Sequence, residues 1–275
     1  MYYLHQIVGS QCLANKLVYT NSDMMYSGIV SGNNTGVIWA DDISNPAFCM
    51  VWSEHLKGFH FIGRSYSHIS KDDFHTFIDD TIIPFLCNKK IHKFEFSCDS
   101  HTWISFICEL FSNREIKRYK QYFYKLLEPN NLNKDINLPT GYEVFEINED
   151  FIFNKLKNFE NQEIIQFDIK ENWGNISKFI ELGKGYLAVQ NNTICSYVST
   201  RFRYKDNYCI GVDTYDPHKR KGLSSFLSTS LFNNIIKHNG NIWWDCSAEN
   251  VASQKTACKT GLTFLYEYEV LWFNI

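Results

Sequence analysis

One stretch constrains this chain more than any other: "YCIGVDTYDPHKRKGLSSFLSTSLF", Tyr208 to Phe232. Its opening residues are dense in aromatic and β-branched side chains, as a strand is. After Gly222 the apolar positions change period, and Leu223, Phe226, Leu227, Leu231 and Ile235 recur at helical spacing. The helix closes at His238-Asn239-Gly240, a fitting C-cap. Strand, short loop and helix in this order place the segment in the α/β class. At a helix start the first backbone N–H groups lack intrahelical partners and the macrodipole adds partial positive charge. Phosphate binds readily there when a glycine lets the loop come close. His218, Lys219, Arg220 and Lys221 add cationic and hydrogen-bonding groups, enough for two phosphates. Taken alone, the basic run is also what a solvated surface carries; its place between a strand and a helix is what distinguishes it. It is neither a Walker A loop nor a G-x-G-x-x-G turn.

Upstream, "YLAVQNNTICSYVSTRF" reads as a hairpin turning at Asn191 and Asn192, residues that tolerate positive φ. Downstream, "IWWDC" is a short strand, and Asn250 is an N-cap for a helix over Val251 to Lys259 that stops at Gly261. "FLYEYEVLWF" is a terminal strand.

The first half also reads as mixed α/β. "GVIWADD" and "AFCMVW" are neighbouring strands across the turn-like "ISNP", and "KFEFSC" and "RYKQYFYKL" are further strands. "SKDDFHTFIDDTIIPFL" puts Phe74, Phe77, Ile78 and Ile82 on one helical face behind an N-cap at Ser70, and Pro84 should end or kink that helix. Another helix is expected from about Thr102 to Phe111. The stretch "EPNNLNKDINLPT", Glu128 to Thr140, is poor in large apolar residues and is the linker candidate. It divides the chain into domains expected at 1–130 and 131–275, with no internal repeat visible in the sequence.

The 44% hydrophobic and 16% aromatic content suffices for an ordered core. A net charge of -3 argues against general attraction to nucleic acid or anionic membrane, so anion affinity must be local. The amino-terminal stretch lacks the pattern of a signal peptide, and no segment reaches ~18 uninterrupted apolar residues. A cytoplasmic protein with no membrane association is expected. The nine cysteines are odd in number and never spaced C-x-x-C, which argues against a zinc site or a disulfide framework. No metal is expected, and most of the thiols should be reduced core residues.

The order of these features resembles the GNAT superfamily of acyl-CoA-dependent N-acyltransferases. The signature [RQ]-x-x-G-x-[GA] falls on Lys219, Gly222 and Ser224, followed by Asn250 with Ser253 and by Gly261 with Leu262. "NWGNISKFIELGKGY", "GVDT", "KRKGLSS", "WWDCSAENVASQKTACKTGL" and "GVIWADDISNPAFCMVW" are similar to the branch that includes zwittermicin-resistance acetyltransferases. The resemblance is strong over the last ~90 residues and loose before the linker. It implies a mixed central sheet flanked by helices, in tandem with a degenerate N-terminal domain of similar fold.

It also implies acetyl-CoA as co-substrate. The pyrophosphate would rest on backbone N–H groups from Arg220 through Lys221, Gly222, Leu223 and Ser224 to Ser225. The pantetheine would pair like an added strand beside Ile210 and Val212. Asn250 would contact it or shape the strand gap, with Ser253 alongside; Asn250 is equally an N-cap. Lys219 replaces the planar arginine fork with a point charge, for which Arg220 could compensate. Ala257 stands where many members carry a general-acid tyrosine, and Cys209 where relatives often have an acid. The expected reaction is direct attack by a small-molecule primary amine on the thioester, with a backbone N–H polarising the carbonyl. Asp213 is the candidate base, or else a strand-end carboxylate. Cys246 and Cys258 are thiol donors or inert core residues, and Trp243, Trp244 and Trp272 core or pocket wall. Two other readings stand: a non-catalytic acyl-CoA-binding module, and a peptide or protein acetyltransferase.

Overall fold

A computed structural model describes residues 4–19, 22–63 and 70–275. The first three residues of the amino-terminal stretch lie outside that set. The chain forms two compact units, Met1–Lys120 together with Glu269–Ile275, and Gln121–Tyr268.

In chain order the elements are β1 (His5–Ile7), α1 (Gln11–Leu17), α2 (Met24–Val30), β2 (Gly36–Ala40), β3 (Phe48–Ser53), β4 (Phe59–Gly63), α3 (Lys71–Phe77), α4 (Ile83–Asn88), β5 (Lys93–Cys98), α5 (His101–Leu110) and β6 (Lys117–Lys125). A second series follows: β7 (Glu143–Glu146), α6 (Glu163–Trp173), α7 (Ile176–Leu182), β8 (Gly185–Gln190), β9 (Thr193–Tyr204), β10 (Asn207–Thr214), α8 (Leu223–Lys237), β11 (Asn241–Ser247), α9 (Val251–Thr260) and β12 (Thr263–Asn274).

In the first unit β1 to β4 pair antiparallel in succession, β4 pairs parallel with β5, and β5 pairs antiparallel with the end of β12 through Phe94↔Phe273 and Phe96↔Leu271. The second unit repeats this scheme. There β7 to β10 pair antiparallel, β10 pairs parallel with β11, and β11 pairs antiparallel with β6 through Asp245↔Phe123. The strand that completes each sheet comes from the other series: β12 follows β11 in the chain but pairs with β5. The two halves thus share an architecture that their sequences do not display as a repeat.

Local chemistry explains most boundaries. Ser70 Oγ accepts from Asp73 N–H at 3.0 Å, capping α3 as expected. Pro84 does not end the helical segment. A π-helical turn over Ile78–Ile82, closed by Ile83 N–H on Ile78 O, precedes it, and Pro84 sits where the helical register changes into α4. Asn191 (φ 50) and Asn192 (φ 64) form the left-handed turn between β8 and β9.

The linker candidate is not a free tether. Leu132 is buried in the second unit's core, Asn133 N–H donates to Thr260 O at 3.2 Å, and Asn133 Nδ2 donates to Lys259 O at 3.0 Å. The carbonyl of Asn131 would lie 2.0 Å from a Cβ on Gly261, whose φ of 98 also requires glycine. Residues 131–133 therefore pack on the carboxyl end of α9.

The first unit's core is aromatic: Phe48, Trp52, Phe59, Phe61, Phe94, Phe96 and Trp103 are fully buried among α3, α4 and α5. The second unit's sheet has a core on each face. One packs Leu223, Leu227, Leu231 and Ala257 of α8 and α9. The other packs Ile165, Ile169 and Trp173 of α6 and Phe179 of α7.

Candidate functional site

The parallel ladder between β10 and β11 is short, running from Asn207↔Asn241 to Cys209↔Trp243. Beyond it each strand keeps only its outer partner. β10 stays paired with β9 from Ile210↔Thr200 to Thr214↔Ser196, after a register shift between Cys209 and Ile210. β11 stays paired with β6 through Ser247↔Gln121. The inner edges part into a wedge, and there β10 presents a length of strand edge of the kind that accepts an added strand.

The wedge opens into a cleft of about 860 Å³. Ile210 and Val212 line it from β10, with side chains on the α8 face. Gly222, Leu223, Ser224 and Ser225 line it at the start of α8, Lys219 and Arg220 from the preceding loop, and Asn250 and Ser253 from α9. Asp213 and Arg201 line it from the opposite, α6-facing side of the sheet. The opening therefore passes between the strands.

Arg220 (φ 62) and Gly222 (φ 91) are both left-handed, which turns the loop so that the backbone of α8 begins at the cleft. A Cβ on Gly222 would meet only Pro139 Cγ, at 4.0 Å, so glycine is required there by conformation and not by lack of room. Hydroxyls fix this junction to β10. Ser224 Oγ and Thr214 Oγ1 share a hydrogen bond of 2.8 Å, Thr214 Oγ1 and Ser196 Oγ share one of 2.7 Å, and Ser196 Oγ also bonds the Asp213 carbonyl at 2.8 Å. The first N–H groups of α8 lie at this fixed end and have no intrahelical acceptors.

The three cations differ in placement. Lys219 donates to Asp216 at 3.1 Å and is well exposed. Arg220 lines the cleft. Lys221 is not part of the lining; its ammonium lies 5.9 Å from the centroid of the Tyr142 ring. The Tyr142 hydroxyl bonds His218 Nδ1 at 2.7 Å. Partial burial, helped by the charge of Lys221, lowers the pKa of His218, favouring its neutral form.

Asn250 Oδ1 accepts from Ser253 N–H at 3.1 Å, and Ser253 Oγ accepts from Trp244 Nε1 at 3.0 Å. Ser253 thus ties α9 to β11, Asn250 caps the helix, and both line the cleft. Ala257 is fully buried under α9, and Cys209 is buried before the bulge. Burial raises the Cys246 thiol pKa despite the Ser253 hydroxyl, so it stays protonated. Trp244 is core, whereas Trp243 and Trp272 are partly exposed.

Asp213 is engaged. Arg201 Nη2 donates to its Oδ2 at 2.5 Å, and Arg201 Nε donates to Asp168 Oδ1 at 3.2 Å. Sequence reasoning missed Arg201, Thr214 and Lys255, all of which line the cleft. The available signal for Arg201 was Gly211, a glycine inside a strand pattern, which marks a close approach. Among the described residues, no cluster of three or more His, Cys, Asp and Glu could hold a metal ion.

A model of the GNAT acetyltransferase family matches residues 14–271. No curated protein is a significant match. Among solved structures, a GCN5-related N-acetyltransferase-like protein from Streptococcus suis is 18% identical, with 95% of this chain and 96% of that one covered at a TM-score of 0.68. A tandem GNAT protein from the clavulanic acid biosynthesis pathway is 9% identical over 91% and 87% of the two chains, at 0.58. A GCN5-related N-acetyltransferase from Sphaerobacter thermophilus is 10% identical over 87% and 80%, at 0.54. At these identities the likeness is one of fold.

Proposed function

The chain belongs to the GNAT acetyltransferase family, and on that premise we propose that its second unit transfers acetyl from acetyl-CoA to the primary amine of a small molecule by direct attack. The observation that carries this reading is the joining, in one cleft, of the parted edge of β10 with the left-handed Arg220–Gly222 loop and the start of α8. A pyrophosphate suits the N–H groups from Arg220 to Ser225, and an extended pantetheine suits the edge at Ile210 and Val212.

In the reaction, a neutral amine attacks the thioester carbonyl. The oxyanion takes a hydrogen bond from a backbone N–H of β10; as the C–N bond forms and the C–S bond breaks, the proton lost from nitrogen passes through water to the departing thiolate, leaving amide and free thiol. Asp213 is the carboxylate that meets the incoming ammonium. With Arg201 already on it, it serves to anchor that cation; the proton passes to water before attack. The sequence resemblance to zwittermicin-resistance acetyltransferases and the net charge of -3 support a small cationic acceptor. None of the nine cysteines is joined in a disulfide, which suits a reducing cytoplasm, and among the described residues no helix is long and apolar enough to cross a membrane.

The first unit is, on the same proposal, a degenerate GNAT-like domain. Its β4 and β5 pair from Phe59↔Phe96 to Phe61↔Cys98, and beyond that ladder Asp99 N–H donates to Phe61 O at 3.0 Å and the His60 ring bridges Ser97 and Asp99. The first turn of its crossover helix, after Lys71, carries Asp72 and Asp73, charges that disfavour phosphate.

The buried Ala257 and Cys209 favour one rival, a module that binds acyl-CoA without turnover. Incubating the protein with acetyl-CoA and a panel of primary amines, while following released thiol, decides between them. Donor-induced thermal stabilisation with no turnover on any amine would establish the rival.

A further inference from the structure

Arg201 is set deeper than a surface ion pair requires. Its partner Asp168, on α6, is 5% exposed and also accepts from Ser199 Oγ at 2.6 Å, Tyr197 Oη at 3.3 Å and Asn172 Nδ2 at 3.3 Å. Asp168 is thus a satisfied buried anion, and Arg201 is its counter-charge. The guanidinium lies against the backbone of β10. A Cβ on Gly211 would come within 2.0 Å of Arg201 Nε and 2.3 Å of its Cζ. Gly211 follows Ile210 directly, where β10 has just left β11. From there Arg201 reaches both Asp213, which is half exposed at the cleft, and the buried Tyr197 hydroxyl at 3.4 Å.

The charges sort accordingly. Asp168 and Arg201 neutralise each other, and the negative charge left over belongs to Asp213. Burial works against the Arg201 charge but is outweighed by Asp168, Tyr197 and Asp213, which raise its pKa and keep it a cation. Burial, reinforced by Asp168, likewise raises Tyr197 and keeps it a neutral donor. No charge in this network needs to change during the reaction.

Resting on the acetyl-transfer reading above, we infer that Arg201 is a positioning residue for the acceptor: seated on Asp168 and laid across Gly211, it holds the Asp213 carboxylate at the cleft as the docking point for a primary ammonium. Acceptors that carry a cationic amine are selected over neutral or acidic amines, and the work of Arg201 shows in their binding, not in the chemical step.

The test is a steady-state comparison with spermidine, putrescine and glucosamine as probe amines and acetyl-CoA as donor. Arg201→Met alone strands Asp168, so the informative variant is the pair Asp168→Asn with Arg201→Met, which removes both buried charges together. For this pair KM for the amine should rise at least about tenfold, with kcat within about threefold and acetyl-CoA affinity within about twofold. Asp213→Asn should raise the amine KM by a similar factor in the wild-type background and by less than about twofold in the paired variant. Arg201→Lys should restore part of the loss. Additive effects, or an unchanged amine KM in the paired variant, overturn the inference while leaving the acetyltransferase reading intact. Absence of turnover by the wild-type protein on every amine overturns the reading, and the inference with it.

Discussion

Gly211→Ala should destabilise the second unit far more than a methyl group in a strand ordinarily does. The added Cβ would sit 2.0 Å from Arg201 Nε and 2.3 Å from its Cδ and Cζ, whereas non-bonded atoms rest about 3.5 Å apart or more. The guanidinium must therefore retreat by about 1.5 Å, which breaks its bonds of 3.2 Å to Asp168 and 2.5 Å to Asp213. The bond to Asp213, whose side chain is 46% exposed, contributes at most about 1 kcal/mol. The bond to Asp168 counts for more. Depriving a buried carboxylate of its counter-charge costs about 3–5 kcal/mol, eased here by the three remaining donors. Alanine recovers about 0.5–1 kcal/mol of backbone entropy. The net loss should be about 3 kcal/mol. It can be read from hydrogen exchange of β9 and β10 amides in the full chain, combined with Arg201→Ala in a double-mutant cycle. With Arg201→Ala already present, Gly211→Ala should cost less than about 0.5 kcal/mol, since nothing remains to displace. A full cost in that background would refute the packing argument, and so would a loss below about 1 kcal/mol in the wild type.

Other sites give equally definite expectations. Gly222→Glu forces a side chain into φ 91 and puts a carboxylate at the α8 start; acetyl-CoA affinity measured by calorimetry should fall at least about 100-fold, and unchanged affinity would remove the cradle. Lys219→Ala should weaken donor binding only a few-fold at low salt and negligibly at about 0.5 M, because this exposed ammonium already pairs with Asp216. Asn250→Ala removes the cap on α9 and should lower stability by about 1 kcal/mol in urea unfolding. In the first unit, burial opposes the charge on His60, but its bond to Asp99 and the charges of Asp99 and Asp23 prevail and raise its pKa. A raised folded value stabilises below the unfolded pKa of about 6.5 and is lost as pH rises through the folded one. First-unit amides should therefore lose protection as pH rises above about 6.5, and His60→Gln should flatten that slope.

What could be read from the sequence was what neighbours in the chain decide. The helix start at Gly222, the Asn191-Asn192 turn and the caps at Ser70 and Asn250 each depend on residues within one turn. Every predicted donor-site residue except Lys221 lines one cleft, because strand, loop and helix are consecutive and the α9 cap lies next to the parted strand. Lys221 follows the left-handed Arg220, and its alternative over Tyr142 is supplied by a residue far upstream. Arg201 was hidden for the same reason: it draws its role from Asp168, 33 positions away, and Asp213, 12 positions away. A linker was inferred from polar composition, but one buried Leu132 and two hydrogen bonds from Asn133 suffice to bind that stretch to α9. Strand exchange is invisible to periodicity, since the alternation in β12 specifies a face and not a partner.

That exchange governs the timetable of synthesis. A ribosome delivers residues 1–120 first, yet the strand that covers Phe94 and Phe96 arrives only with Leu271 and Phe273, after the whole second unit, residues 121–268, has been made. Until then β5 is an open edge with aromatic neighbours, the kind of surface that recruits chaperones or other nascent chains. The residues of the second unit are complete at Tyr268, before the strand that closes the first arrives. The half of the chain that emerges earliest is thus the half that finishes last.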